Sequence, residues 1–169
     1  MARDAAVRDP GARGVTNVVV AGLGGQGVLK ASDIIADAAF RAGMDVKKAE
    51  VHGMSQRGGF VQSDVRFGPK VESPMVPSGE ADYLLLLAAD QAEAARACLR
   101  TDGTLVGPGA VEESGLANRK SINVALLGVL SRHLTIPEEH WMAAIRAALP
   151  EKLHEVNFAA FRLGRSKTG

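Results

Sequence analysis

Cysteine is nearly absent: the 169 residues contain one, Cys98. A single thiol excludes an internal disulfide, and it excludes a zinc or iron–sulfur site built from several cysteines of this chain. Aromatic side chains are scarce as well, with five Phe, one Tyr and one Trp. That is too few for a platform on which single-stranded bases stack. No sign of charge dominates, because 20 Lys and Arg face 19 Asp and Glu for a net +1. Such a balance leaves no electrostatic footprint for DNA, RNA or an anionic membrane. The longest strongly apolar run, residues 83–89, falls far short of the roughly 20 residues that span a bilayer. Residues 1–14 contain no apolar stretch of the signal-peptide kind. These absences together point to a cytoplasmic, reduced setting with neither nucleic acid nor membrane as partner.

What is present is a core. Apolar residues make up 46% of the chain and charged residues 23%, a balance that suits one globular domain of this length. Residues 1–15 mix Arg, Asp, Gly and Pro without period and read as a disordered lead-in; 165–169 read as a frayed tail. Between them, 16–164 form one unit. A β-branched run at 17–21 suits a buried strand, and Gly22-Leu-Gly-Gly-Gln-Gly27 follows at once. From Gln26 the apolar residues Val28, Ala31, Ile35, Ala38 and Ala42 recur at helical spacing, and Gly43 is placed to end that helix. Residues 45–51 read as a second strand, completing a βαβ unit.

Residues 60–67 alternate apolar and polar, as in a strand with one wet face, and 71–73 suggest a short antiparallel partner at a sheet edge. Residues 82–88 read as a buried central strand, 91–100 as a helix and 103–106 as a further strand. Three helices fill the remainder, with a Thr135/Glu138 capping box before one and Gly164 ending the last. The pattern predicts an α/β fold, a three-layer Rossmann-like domain whose sheet is mainly parallel with an antiparallel edge.

Two segments carry chemistry. Gly22, Gly24 and Gly27 satisfy G-x-G-x-x-G between a strand and a helix, with Gly25 and Gln26 inside the motif. Glycine there permits a tight turn and lets a phosphate approach backbone N–H groups. Glu50 stands about where a ribose-binding acid belongs. The same glycines also serve close helix–sheet packing without any nucleotide, and spacing alone leaves both readings open. The second segment is the glycine loop 52–59, holding His52, Gln56, Arg57, Gly58 and Gly59. A guanidinium between glycines offers a planar fork for a carboxylate or phosphate; the plainer reading is a solvated arginine. His133, His140 and His154 sit on separate segments and form no metal motif or triad. Ser55 and Ser63 have no adjacent base, and Cys98 reads as a small buried apolar residue. No catalytic residue and no metal ligand set is assigned, so the chain looks like part of an enzyme.

Two strings, Gly22-Leu-Gly-Gly-Gln-Gly-Val28 and Glu50-Val-His-Gly-Met-Ser-Gln-Arg-Gly-Gly59, resemble the small, gamma-type subunits of 2-oxoacid:ferredoxin oxidoreductases. Val65-Arg-Phe-Gly68, Ser73-Pro74, Gly79-Glu-Ala-Asp82 and the tail from Pro150 to Gly164 extend the similarity over residues 15–164. The His-Gly-Met-Ser-Gln-Arg-Gly-Gly form is similar to the beta-subunit branch of the indolepyruvate enzymes. The resemblance implies oxidative decarboxylation of a 2-oxoacid with coenzyme A, giving an acyl-CoA, CO2 and reduced ferredoxin. It further implies that this chain binds no cofactor alone, and that a large partner subunit carries thiamine diphosphate, Mg and the 4Fe–4S clusters. One cysteine agrees with that division, since a cluster takes four thiolates. On this reading Gly22–Gly27 is either a retained scaffold or a contact for the nucleotide end of coenzyme A. The loop 52–59 faces the substrate or the partner, across a surface expected to be more apolar than usual. The alternatives are a free-standing dinucleotide-binding oxidoreductase and a purely structural assembly subunit.

Overall fold

A computed structural model describes residues 14–52, with His52 through its backbone, and 59–166. In chain order the elements are β1 (Thr16–Leu23), α1 (Val28–Arg41), β2 (Asp45–His52), β3 (Phe60–Gly68), β4 (Ala81–Leu86), α2 (Ala92–Arg96), β5 (Leu99–Val106), α3 (Ile122–Ser131), α4 (Glu138–Ala148) and α5 (His154–Ser166). The five strands form one mixed sheet in the order β2-β3-β1-β4-β5. β1, β4 and β5 are parallel, whereas β3 runs antiparallel to both β1 and β2. The α/β reading holds. The βαβ unit differs in one respect: α1 returns the chain to β2 in the direction of β1, but β3 is inserted between them.

That insertion explains the alternation at 60–67. Val65 and Phe67 are buried on the side of α1. Gln62, Asp64 and Arg66 stand on the opposite side, but water does not cover that side. Residues 69–80 cross it as a strap, and the polar side chains bind the strap's backbone. Asp64, only 1% exposed, accepts from Val76 N–H at 3.0 Å and from Gln62 Nε2 at 2.8 Å. Arg66 Nη1 donates to the Ser73 carbonyl at 2.8 Å. The expected strand at 71–73 is absent for the same reason. Val71 N–H donates to Asp45 Oδ2, and the Val71 carbonyl accepts from Lys47 Nζ, each at 2.7 Å, so side chains replace a strand ladder.

The main core lies between the sheet and α1, α3, α4 and α5, with Trp141 and Phe161 fully buried at a centroid separation of 5.6 Å. α2 and the strap cover the other face over a smaller cluster that includes Val19, Ala21, Leu84 and Leu86. The helix expected over 91–100 is shorter. β5 takes over at Leu99 and passes through an irregular pairing with β4 near Gly103, where a Cβ would lie 2.9 Å from the Ala81 carbonyl.

Of three helix-boundary signals, one acts as expected and two do not. Gly43 ends α1 as its φ of +88° requires. The Thr135/Glu138 box does not form: Pro137 occupies the N-cap without a side-chain bond, and Glu138 pairs with Arg162 at 3.2 Å instead. Gly164 does not stop α5, which runs on to Ser166 and so takes in Arg165 and Ser166 of the expected tail. Its role is packing. A Cβ at Gly164 would lie 1.8 Å from the Ala125 carbonyl oxygen, and one at Gly128 would lie 2.1 Å from that of Phe161, so α3 and α5 touch backbone to backbone.

Candidate functional site

The glycine turn sits at the carboxyl end of β1, where ligands approach open α/β sheets. Three of its four glycines answer a steric or conformational demand. At Gly22 a Cβ would crowd Gln26 Oε1 and Val28 Cγ2 at 3.0 Å and Leu87 Cβ at 3.1 Å. Gly25 and Gly27 take φ of +85° and +87°, in the left-handed region that other residues avoid. At Gly24 the backbone N–H, which any residue but proline would supply, donates to the Gly59 carbonyl at 2.9 Å. Gln26 closes the turn on itself, its N–H donating to the Leu23 carbonyl at 3.1 Å while its Oε1 accepts from Leu23 N–H at 2.7 Å. Asn123, at the start of α3, donates from Nδ2 to the Gln26 carbonyl.

This arrangement changes the reading of the motif. In a dinucleotide site the N–H groups of the turn are the phosphate ligands. Here Leu23 and Gly24 give theirs to Gln26 and Gly59, while the N–H groups of the first turn of α1 are not engaged by these bonds. Glu50 is also misplaced for a ribose. It pairs with Ser63 on β3, so a whole strand separates β2 from β1, a lateral shift of about 4.8 Å beyond the neighbouring position. Glu50 Oε1 instead lies 3.5 Å from Lys48 Nζ, which also pairs with Asp33 on α1.

Of the loop 52–59, Gln56, Arg57 and Gly58 lie outside the described residues. His52 ends β2 opposite Val61, and Gly59 leads into β3. The Gly24–Gly59 bond therefore brings the two sequence motifs together at one end of the sheet. Leu29 and Val51, both exposed, stand at this end. Beside Gly25 and Gly27 lies a cavity of about 280 Å³, rimmed by Lys30, Asn118, Lys120 and Asn123 over an apolar floor. Lys30 and Lys120 give its rim a positive charge.

Sequence reasoning missed Asn123 and a second cavity. The latter, about 600 Å³, opens at the opposite end of the sheet among Thr16, Met44, Phe67, Tyr83 and Leu134. His133 borders it; burial and the neighbouring Arg132 push its imidazole pKa down. Its carbonyl accepts from the Tyr83 hydroxyl at 3.1 Å. Cys98 is half-buried, and desolvation together with the charge of Asp64 pushes its thiol up to about 11. Among the described residues no group of three or more His, Cys, Asp or Glu is placed to hold a metal ion. No helix there is long and apolar enough to cross a membrane.

The family model for pyruvate ferredoxin/flavodoxin oxidoreductase matches residues 17–111 and 109–167. The chain is 35% identical over 188 aligned positions to the indolepyruvate oxidoreductase subunit IorB of Thermococcus kodakarensis, covering 88% of this chain and 93% of that one. The IorB subunit of Archaeoglobus fulgidus is 34% identical, with 88% and 92% covered. Among solved structures, the gamma subunit of a keto/oxoacid ferredoxin oxidoreductase from Geobacter sulfurreducens superposes with a TM-score of 0.73 at 24% identity, over 89% of this chain and 94% of that chain. A 2-oxoglutarate:ferredoxin oxidoreductase from Magnetococcus marinus gives 0.76 at 20%, over 90% of this chain and 31% of that longer one. The chain belongs to the pyruvate ferredoxin/flavodoxin oxidoreductase family. It corresponds in extent to a subunit of such an enzyme. The 188 aligned positions exceed its 169 residues, so the relatives carry extra residues. The two matched stretches overlap at 109–111, in the connection between β5 and α3.

Proposed function

We propose that the chain is the non-cluster subunit of an arylpyruvate:ferredoxin oxidoreductase of the indolepyruvate type. The complex would oxidatively decarboxylate a 2-oxoacid with coenzyme A, releasing an acyl-CoA and CO2 and passing two electrons to ferredoxin. The observation that carries this reading is the 35% identity to IorB along nearly the whole of both chains. A large partner subunit would hold thiamine diphosphate, Mg and the 4Fe–4S clusters, which supply the carbon–carbon cleavage and the electron path. This chain's single thiol, held protonated near neutral pH, does not fit a four-thiolate cluster.

The chain's own contribution centres on the turn and the hairpin base. Gly24 and Gly59 fix the start of β3 against the turn, which anchors the far end of the loop containing Arg57. Arg57 then engages the substrate carboxylate, a coenzyme A phosphate or an acidic group of the partner. Leu29 and Val51 give that end of the domain exposed apolar surface for the partner. A free-standing dinucleotide enzyme is disfavoured, because Leu23 and Gly24 direct their N–H groups to the protein and Glu50 is a strand too far away.

The test is Arg57→Ala in the assembled complex, assayed by ferredoxin reduction with arylpyruvate and coenzyme A. Turnover is expected to fall at least ~10-fold, or about 1.4 kcal/mol. Arg57→Lys should not rescue it, since lysine lacks the planar two-point contact. Wild-type assembly with wild-type kinetics would leave Arg57 a solvated residue and the subunit purely structural.

A further inference from the structure

We infer that Asn123 is a positioning residue that holds the glycine turn against the base of the β2–β3 hairpin. The inference rests on the proposed role of that end of the domain and names the group that sets its geometry. The turn is intrinsically soft: Gly25 and Gly27 both adopt positive φ, and glycine has many competing backbone states. Its bonds between Gln26 and Leu23 tie it back to the end of β1. Beyond these and the Ala31 N–H bond to the Gly27 carbonyl in α1, two hydrogen bonds among the described residues tie 24–27 to elements other than the flanking β1 and α1. One is Gly24 N–H to the Gly59 carbonyl; the other is Asn123 Nδ2 to the Gln26 carbonyl.

Asn123 is suited to this task in three ways. The Gln26 carbonyl can only accept, so the amide must donate, and the bond spans 97 positions of sequence. The Asn123 amide also fills the space beside Gly27, where a Cβ would lie 3.1 Å from Nδ2. Finally, it projects from a firm support. Gly128 and Gly164 let α3 and α5 meet backbone to backbone, and Ala125, Leu126 and Leu127 just beyond Asn123 are buried. Position is thus relayed from α3 through Asn123 and Gln26 to Gly24, and from there to Gly59, beside the β1 ladder that already pairs Leu23 with Phe60 and Gly22 with Val61.

The experiment compares the wild-type complex with complexes containing Asn123→Leu, which keeps the approximate shape without a donor, and Asn123→Ala. Amide hydrogen exchange is measured in the assembled complex alongside ferredoxin-reduction kinetics. Exchange should speed up about five- to tenfold in peptides covering 22–27 and 59–62, with α5 unchanged. KM for the 2-oxoacid or coenzyme A should rise several-fold while kcat moves less than twofold. Unchanged exchange at either peptide overturns the relay and leaves the proposed function to its own Arg57 test. Faster exchange with unaltered KM also overturns it, because Asn123 would then be merely structural. If Asn123→Leu does not assemble, the smaller Asn123→Ala decides on the same readouts.

Discussion

Gly24 donates its backbone N–H to the carbonyl of Gly59 at 2.9 Å, joining two glycine-rich motifs separated by a helix and a strand. In a nucleotide-binding turn that N–H would be a phosphate ligand. Here that N–H is taken up by Gly59, which joins the turn to the base of the β2–β3 hairpin. Several measurable consequences follow from the geometry around it.

Gly25 and Gly27 share a left-handed backbone but differ in surroundings. Alanine at either costs about 1–2 kcal/mol of backbone strain. A Cβ at Gly25 meets nothing within 4 Å, whereas one at Gly27 presses on the Asn123 amide. Gly27→Ala should therefore lower the melting temperature more than Gly25→Ala, as read by calorimetry. Equal losses would show that the Asn123 contact yields freely.

Gly128 and Gly164 set the separation of α3 and α5. Adding a methyl where the Cβ would stand 2.1 Å or 1.8 Å from a carbonyl oxygen forces the helices apart. Gly128→Ala or Gly164→Ala should destabilise by at least the ~1–3 kcal/mol typical of overpacking. Chemical denaturation measures this, and a loss below about 0.5 kcal/mol would contradict the close approach.

Asp64 holds the strap over the second face of the sheet. Asp64→Ala leaves Val76 N–H and the Gln62 amide without their acceptor, at about 1–3 kcal/mol for each group stranded in the interior. Limited proteolysis should show new cleavage within 69–80 before any global unfolding. An unaltered digestion pattern would mean that the strap is held by its apolar contacts alone.

Cys98 should be a poor nucleophile. With its thiol near 11 rather than 9.0, it is almost wholly protonated at pH 8 and starved of the reactive thiolate. Alkylation by iodoacetamide should be slow at pH 8, and its rate should climb through pH 10 and beyond. In denaturant the same thiol should react with its midpoint near 9. Fast labelling of the folded chain at pH 7 would contradict this.

The sequence told strand from helix well where periodicity was strong, as along β1, β4 and α1. It did not tell strand order. The alternation of 60–67 looks the same whether the polar side faces water or, as here, binds the backbone of a crossing strap, so β3 read as peripheral. Gly164 carried the same ambiguity, since a glycine that stops a helix and one that lets two helices touch are the same letter. At the candidate site the glycines were visible as a motif, but their bonds were not. Gly59 takes the Gly24 N–H through a contact that no local spacing encodes. Asn123 is a single polar residue at the head of an apolar helix, with its acceptor 97 positions away.

As the proposed non-cluster subunit, this chain should work only with a large subunit bearing the thiamine and cluster chemistry. Anaerobic affinity purification of the tagged chain from its native host, followed by mass spectrometry, tests this most directly. A large thiamine- and cluster-binding chain should co-purify in fixed ratio, and the purified complex should reduce ferredoxin with arylpyruvate and coenzyme A. Recovery of the chain alone, or of a complex inert toward every 2-oxoacid offered, would contradict the account.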